Sequence, residues 1–324
     1  MARVKRDPEA LQRCFTDYDR HVEIVCCWNS WYEDVVPGCS FDRYPCRHVD
    51  GVDLTPDFAV DFENGYTLIG EVCLLPNQED GFRRSVEQAG KYTGIAGGAE
   101  VLMLVPFDIA AESELRISRD QLLADDDPVV LLAYARNPNV AHERWEFARV
   151  LQKRTARVND DFLGGDLSLG QRLCDQLKPL RVPIEYCFKN KLRHPFINDE
   201  PPSIYSAVYL CQKVAPLALS KEEFLLRRLD DEDLVIEVDA DQLVMLCEAE
   251  LGVKMRVAWV KDALEILEEA RLAKRVGQRY EIQLGKLRIT HSGSRDLMKQ
   301  IAERAGGPSA DSEEAPPQEA LQFD

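Results

Sequence analysis

Thr55-Pro56-Asp57-Phe58-Ala59-Val60-Asp61-Phe62-Glu63-Asn64-Gly65, continued by Tyr66-Thr67-Leu68-Ile69-Gly70-Glu71-Val72-Cys73-Leu74-Leu75, reads as two strands folded back on each other. Phe58, Val60 and Phe62 alternate with Asp57, Ala59 and Asp61, the period-2 pattern of a half-buried strand. Pro56 fits at its start, where no ladder donor is lost. Glu63-Asn64-Gly65 supplies a turn, because Asn and Gly accept the positive φ values of a tight connection. The second strand is expected from Tyr66 to Leu75, with Glu71 and Cys73 on one face and Gly70, Val72 and Leu74 on the other. Such a hairpin brings Asp57 and Glu71 together on adjacent strands. Two like charges at that distance call for a cation, and oxygen ligands suit Mg²⁺ or Mn²⁺.

Outward from the hairpin, Phe82, Val86, Ala89 and Tyr92 recur at helical spacing, which predicts a helix over 82–93. Gln88 and Tyr92 lie four apart and share a face. The run Val101-Leu102-Met103-Leu104-Val105 predicts a strand over 100–106 covered on both sides. A further core strand is expected over 128–137. These elements make a small α/β core.

In this order and spacing, Pro56-Asp57, Glu71-Val72-Cys73 and Gln88-Ala89-Gly90-Lys91-Tyr92 before a hydrophobic strand resemble the PD-(D/E)xK nuclease superfamily, RecB-type branch, over about residues 15–110. The resemblance implies a restriction-endonuclease-like α/β core, a mixed central sheet flanked by helices. It also implies that Asp57 and Glu71 are metal ligands, that the Val72 carbonyl completes the shell, and that Gln88 and Tyr92 position DNA or a metal-bound water. A helix before the first strand often adds a carboxylate in this family. The candidate is Glu23, with Glu33 as second choice.

The departure is Cys73, which stands where the family has a lysine that polarises the attacking water. A thiol with an ordinary pKa of about 8.5 carries no positive charge at neutral pH. Three readings stay open: a small buried hydrophobe in a domain that has lost catalysis, a displaced lysine such as Lys91, or a cysteine with its own metal-binding or redox role.

Composition bounds the rest. The 324 residues, 45% hydrophobic, suffice for two domains and connectors. No apolar run approaches the length of a membrane span, and Met1-Ala2-Arg3-Val4-Lys5-Arg6-Asp7 lacks the apolar centre of a signal peptide, so a cytoplasmic location is expected. The ten cysteines form no C-x-x-C pair and are expected reduced. Cys39, Cys46 and His48, in a loop-like stretch, are the nearest approach to a zinc grouping. His194, alone in a Pro-containing connector, receives no role. The net charge of −17 is uneven: residues 149–193 hold ten Lys or Arg against five acids, whereas 222–250 hold eleven acids and two arginines. Basic faces therefore remain for nucleic acid.

Residues 145–158 read as strand or helix, Gly164-Gly165-Asp166 as a turn, 167–177 as a helix, and 189–202 as an exposed connector. Near the C-terminus a helix over 239–251 stops at Gly252. A longer helix over 255–276 follows, with Val257, Val260, Leu264, Leu267 and Leu272 inward, and a hairpin-like segment occupies 274–282. This succession resembles a winged helix, whose long helix and wing contact DNA. Arg256, Lys261, Arg275 and Arg279 are its candidate DNA contacts, and docking to protein is the competing use.

The expected organisation is a nuclease-like domain over 1–160, a connector with helices over 161–216, a winged-helix domain over 217–304 and a disordered acidic tail over 305–324. The expected function is a DNA-associated protein with a degenerate nuclease-like fold, a DNA-binding or assembly subunit in repair, restriction or phage defence. The alternative is an active Mg²⁺- or Mn²⁺-dependent DNA nuclease that uses Glu23, Asp57 and Glu71 with Lys91 as displaced lysine.

Overall fold

Apolar spacing and a few glycines account for the elements of the computed structural model, which describes residues 6–35, 37–49, 51–63, 65–73, 79–95, 99–123, 129–137, 144–149, 180–183, 201–219, 234–287 and 293–306. The chain divides into two units, Asp17–Pro201 and Met1–Thr16 with Pro202–Asp324.

The unit Asp17–Pro201 takes most of helix α1 (Pro8–Val35), then β1 (Cys39–Arg43), the small hairpin β2 (Arg47–Val49) and β3 (Val52–Leu54), β4 (Phe58–Phe62) and β5 (Thr67–Val72). Helix α2 (Glu79–Tyr92), β6 (Ala99–Pro106), α3 (Ala110–Arg119), β7 (Val129–Asn137), β8 (Arg144–Arg149) and β9 (Leu180–Pro183) follow. Among the described residues the main sheet runs β1-β4-β5-β6-β7-β8-β9. Strands β5, β6 and β7 are parallel, while β1, β4, β8 and β9 pair antiparallel with their neighbours, so the sheet is mixed. The parallel pairs need crossovers, and α2 and α3 provide them.

Helices cover both faces. On one, Phe82, Val86, Ala89 and Tyr92 of α2 and Ala110 and Ile117 of α3 pack with Ala59, Ile69, Val101, Met103 and Leu131. On the other, Trp28 of α1 lies 6.2 Å from the Phe58 ring and 5.0 Å from Phe147. This double cover corrects the expectation that β4 is half-buried: Ala59, on its supposed polar face, is fully buried like Phe58 and Val60. Gly65 has φ +83, as the expected turn requires. Strand β5 runs Thr67–Val72, and Leu74 and Leu75 of the expected strand lie outside the described residues. The stretch around Cys39 and Cys46 is not loop-like. It forms β1, which extends the sheet beside β4, and the start of the β2–β3 hairpin. Arg47 pairs with Asp61, which also accepts from Thr67 Oγ1 at 2.7 Å, and this ties that hairpin to β4 and β5. The strand-or-helix segment 145–158 is strand through Arg149; the rest of it, with the turn at 164–166 and the helix at 167–177, lies outside the described residues.

The second unit contains α4 (Ser203–Tyr209), extended by a π turn over Leu210–Val214 and a 3₁₀ turn over Ala215–Ala218, then β10 (Val235–Val238), α5 (Ala240–Leu251), α6 (Val257–Glu269), β11 (Ala273–Val276), β12 (Arg279–Gln283) and α7 (Ser294–Gly306). Its sheet order is β10-β12-β11. Of the connector expected to be exposed over 189–202, residues 189–200 lie outside the described residues; Pro201, which ends the unit Asp17–Pro201, is buried and Pro202 is half-buried. Helix α5 ends at Gly252 as expected, with φ +66, and at its start Asp239 accepts from the Gln242 N–H at 2.7 Å. Helix α6 is shorter than the expected 255–276. Arg271 takes a φ of +57, the Leu272 N–H turns back to the Leu267 carbonyl, and 273–276 becomes a strand. Leu264, Leu267 and Leu272 are inward as expected, while Val257 is half-buried. The hairpin closes at Gly277, φ +65. Of the acidic tail, residues 307–324 lie outside the described residues. Among the described residues no helix is long and apolar enough to cross a membrane.

Candidate active site

Antiparallel register builds the site. Phe58 pairs with Gly70, and one step beyond that pair Asp57 and Glu71 stand opposite each other. Asp57 Oδ2 accepts the Val72 backbone N–H at 2.6 Å. Val72 therefore enters the site through its amide, whereas its carbonyl was the expected contribution. The other Asp57 oxygen lies 3.0 Å from His21 Nε2 of α1. The two atoms are within ion-pairing distance without being aligned as a hydrogen bond, and the buried His21 nitrogen has no other partner.

Glu71 is 8% exposed, a carboxyl in a largely apolar setting. The Tyr92 hydroxyl donates to its Oε2 at 3.3 Å, and Gln88 Nε2 in turn donates to the Tyr92 oxygen. The four-residue spacing on α2 aligns Gln88 and Tyr92 as a short relay that fixes the Glu71 carboxyl. Burial, and after it the Asp57 charge, push the Glu71 carboxyl well above the ordinary carboxylate range; the Tyr92 hydrogen bond pulls the other way. Burial and then the Glu71 charge likewise hold the Tyr92 phenol high, so it remains a donor.

The remaining candidates fall around this pair. Glu23 is buried on α1, two residues beyond His21, but it does not complete a cage: among the described residues no three His, Cys, Asp or Glu side chains gather as an ion-binding group. Cys73 is 1% exposed and belongs to the same buried apolar cluster as Ile69, Val86, Ala89 and Tyr92. Its thiol occupies the place of a small apolar side chain. Lys91 is exposed in the last turn of α2. The zinc grouping is not assembled, because the Cys39 thiol donates to the Tyr32 carbonyl and His48 Nδ1 lies 2.8 Å from Asp53. In the C-terminal unit Arg256, Lys261, Arg275 and Arg279 are all exposed. The Arg256 guanidinium sits 5.6 Å over Trp259, Arg275 Nε donates to the Gly277 carbonyl, and Arg279 pairs with Glu237 at 2.9 Å.

Sequence reading assigned no role to His21. Its one legible signal was its place on the helix that also carries Glu23; which side chain reaches Asp57 depends on how α1 crosses the sheet.

The donor chemistry suits a hard divalent cation. Mg²⁺ is commonly held by one or two carboxylates, with water and substrate phosphate completing its shell, so a facing pair is enough without a third protein ligand. No family model, no curated protein and no solved structure matches this chain.

Proposed function

We propose that the unit Asp17–Pro201 is a divalent-metal-dependent phosphodiesterase of the PD-(D/E)xK type acting on DNA. The observation that carries this reading is the facing pair of a half-buried Asp57 and a buried Glu71, held by Val72, His21, Tyr92 and Gln88. A buried carboxyl facing a second, half-buried one is costly, and a domain that had only to keep its shape would be relieved of that cost by neutral side chains. Asp57 and Glu71 would hold Mg²⁺ or Mn²⁺. The ion when bound lowers the pKa of an attacking water and offsets charge on the phosphate. Val72 N–H and His21 fix the Asp57 carboxylate. Tyr92, itself oriented by Gln88, keeps Glu71 turned toward Asp57 and donates a hydrogen bond that steadies its charged form.

The experiment is cleavage of plasmid and linear DNA with Mg²⁺ or Mn²⁺. Asp57→Ala and Glu71→Ala are each expected to lower cleavage by about 10²–10³-fold, the loss of several kcal/mol of transition-state stabilisation. Cleavage that persists in both variants would sink the site assignment, and inert wild type with either metal would sink the enzyme.

The second reading, a degenerate nuclease fold kept as a DNA-binding or assembly subunit in repair, restriction or phage defence, is favoured by one observation, the Cys73 thiol packed among apolar side chains. Cys73→Lys separates the two in the same assay, since a silenced site gains cleavage from the ammonium and an active one does not depend on it. If Lys91 serves as displaced lysine, Lys91→Ala abolishes cleavage.

For the second unit we propose a winged helix. The order β10, α5, α6, β11, β12 and the sheet order β10-β12-β11 support that reading, with β11–β12 as the wing. DNA is its proposed partner through Arg256, Lys261, Arg275 and Arg279. Arg275→Ala and Arg256→Ala are expected to weaken duplex binding and each flatten the log–log salt dependence by about one phosphate's share, roughly 0.9. Unchanged salt slopes would point instead to a protein partner.

A further inference from the structure

Beside the carboxylates lies a second group of polar side chains that the hydrolytic reading does not use. Strand β1 ends at Arg43, paired in register with Phe58, and the chain then passes Tyr44 over the start of β4. The Tyr44 N–H donates to the Asp57 carbonyl at 3.2 Å, so this turn is tied to the backbone of the site residue itself. Arg43 Nε donates to Oδ1 of the buried Asn29 at 2.6 Å. Its Nη1 is buried without a hydrogen-bond partner, and among the described residues no carboxylate pairs with the guanidinium. The Tyr44 hydroxyl is likewise buried and unpartnered. His21 Nε2, 3.0 Å from Asp57 Oδ1, is a further buried polar atom here without an aligned hydrogen bond.

Tyr44 also has a φ of +49, a left-handed conformation that a bulky aromatic side chain adopts only at a cost. Its phenol is close enough to both neighbours to feel them: after burial, the Asp57 charge is the largest influence raising its pKa, while Arg43 lowers it. A buried N–H or O–H left without a partner forfeits about 1–3 kcal/mol, so two donors orphaned next to a carboxylate mark the place of an acceptor that arrives from outside. Both donor atoms are closed to solvent as the turn stands, so an anion that uses them has to displace the strained Tyr44 turn.

We infer that Arg43 and Tyr44 form a phosphate-binding subsite in which the guanidinium Nη1 and the phenol hydroxyl donate to a non-bridging phosphate oxygen of a nucleic-acid strand lying against Asp57. The inference rests on the proposed action on DNA. Arg suits the task because its planar fork holds a phosphate oxygen while one nitrogen stays anchored, here to Asn29.

The test measures anisotropy of a labelled, 5′-phosphorylated tetrathymidylate against the full chain in EDTA, so binding is read without metal or hydrolysis. Arg43→Gln is expected to weaken binding by about 10- to 100-fold, the worth of a charged hydrogen bond, and to flatten the salt slope by roughly 0.7. Arg43→Lys is expected to lose less, and Tyr44→Phe, which keeps the ring, a few-fold. Asp57→Ala is expected to bind at least as well as wild type. If Arg43→Gln fails to fold, as judged by its thermal melt, Arg43→Lys and Tyr44→Phe carry the test. Equal affinity of the folded variants and wild type overturns the inference, as does absence of binding by wild type. Inorganic phosphate that competes as strongly as the oligonucleotide assigns the subsite to free phosphate and overturns the strand. Because no metal is present, loss of binding in Arg43→Gln upholds the subsite even where wild type cleaves nothing, and cleavage with unaltered Arg43→Gln binding upholds the nuclease alone.

Discussion

Adding Mn²⁺ to the protein near neutral pH is expected to raise the melting temperature of the Asp17–Pro201 unit by about 5–10 °C, and Glu71→Gln is expected to abolish the rise. An ion at about 100 times its Kd that binds only the folded state contributes about 2.7 kcal/mol, and a unit of this size gains about 2–4 °C per kcal/mol. The same carboxyl sets the pH dependence without metal. The folded-state pKa of Glu71 is raised, by burial first and by Asp57 second, above an unfolded value of about 4.3. Between those two pKa values the folded chain keeps a proton that the unfolded chain has released. The Glu71 contribution to metal-free stability is therefore fully present below the unfolded pKa and declines as pH rises toward the folded one. Glu71→Gln removes the decline, so the metal-free variant should melt above metal-free wild type at neutral pH and converge with it in acid. Manganese then reverses the order. A melting shift of equal size in wild type and Glu71→Gln would show that the ion binds elsewhere, and Asp57→Ala provides the second check on the same pair.

What the sequence carried and what it withheld divide along physical lines. The hairpin, the Gln88–Tyr92 helix and the buried β6 were legible because period-2 and period-3.6 patterns and a glycine turn are local. The stop at Gly252 was legible for the same reason. The double cover of β4 was not, since Asp57 and Asp61 look like a solvated edge until α1 and α2 are packed on either side. Nor was the end of α6: residues 270–276 continue a helical pattern, and only the pairing of Lys274 and Arg275 with β12 draws them into a strand. At the site, the carboxylates and the shared face of Gln88 and Tyr92 could be read from spacing, but the bond from Tyr92 to Glu71 could not, where a contact to DNA or water was expected, and His21, Arg43 and Tyr44 come from α1 and the end of β1. They come near Asp57 through tertiary packing, which leaves no periodic trace.

Gly70→Ala is expected to cost about 3 kcal/mol, near the top of the usual range for overpacking, and to damage the site with the fold. A Cβ on Gly70 would stand 1.9 Å from Phe58 Cζ, with Cε1 and Cε2 at 2.1 and 2.4 Å. All three are ring atoms of the residue directly opposite in register, so the ring rather than a flexible tip has to leave. It has nowhere to go: it stacks on Phe41 at 5.1 Å, with Trp28 at 6.2 Å. Shortening the partner should relieve the clash, so Phe58→Leu with Gly70→Ala is expected to be less unstable than the sum of the single changes, a coupling that distant sites do not show. Urea denaturation of the four proteins measures it. The experiment bears on function because Phe58 over Gly70 pins the pair next to Asp57 and Glu71: a slip of one residue would turn Glu71 to the opposite face of β5 from Asp57 and separate the carboxyls. A Gly70→Ala protein within about 0.5 kcal/mol of wild type, the ordinary scatter of surface changes, would mean that this register, and the carboxylate pair built on it, is wrong.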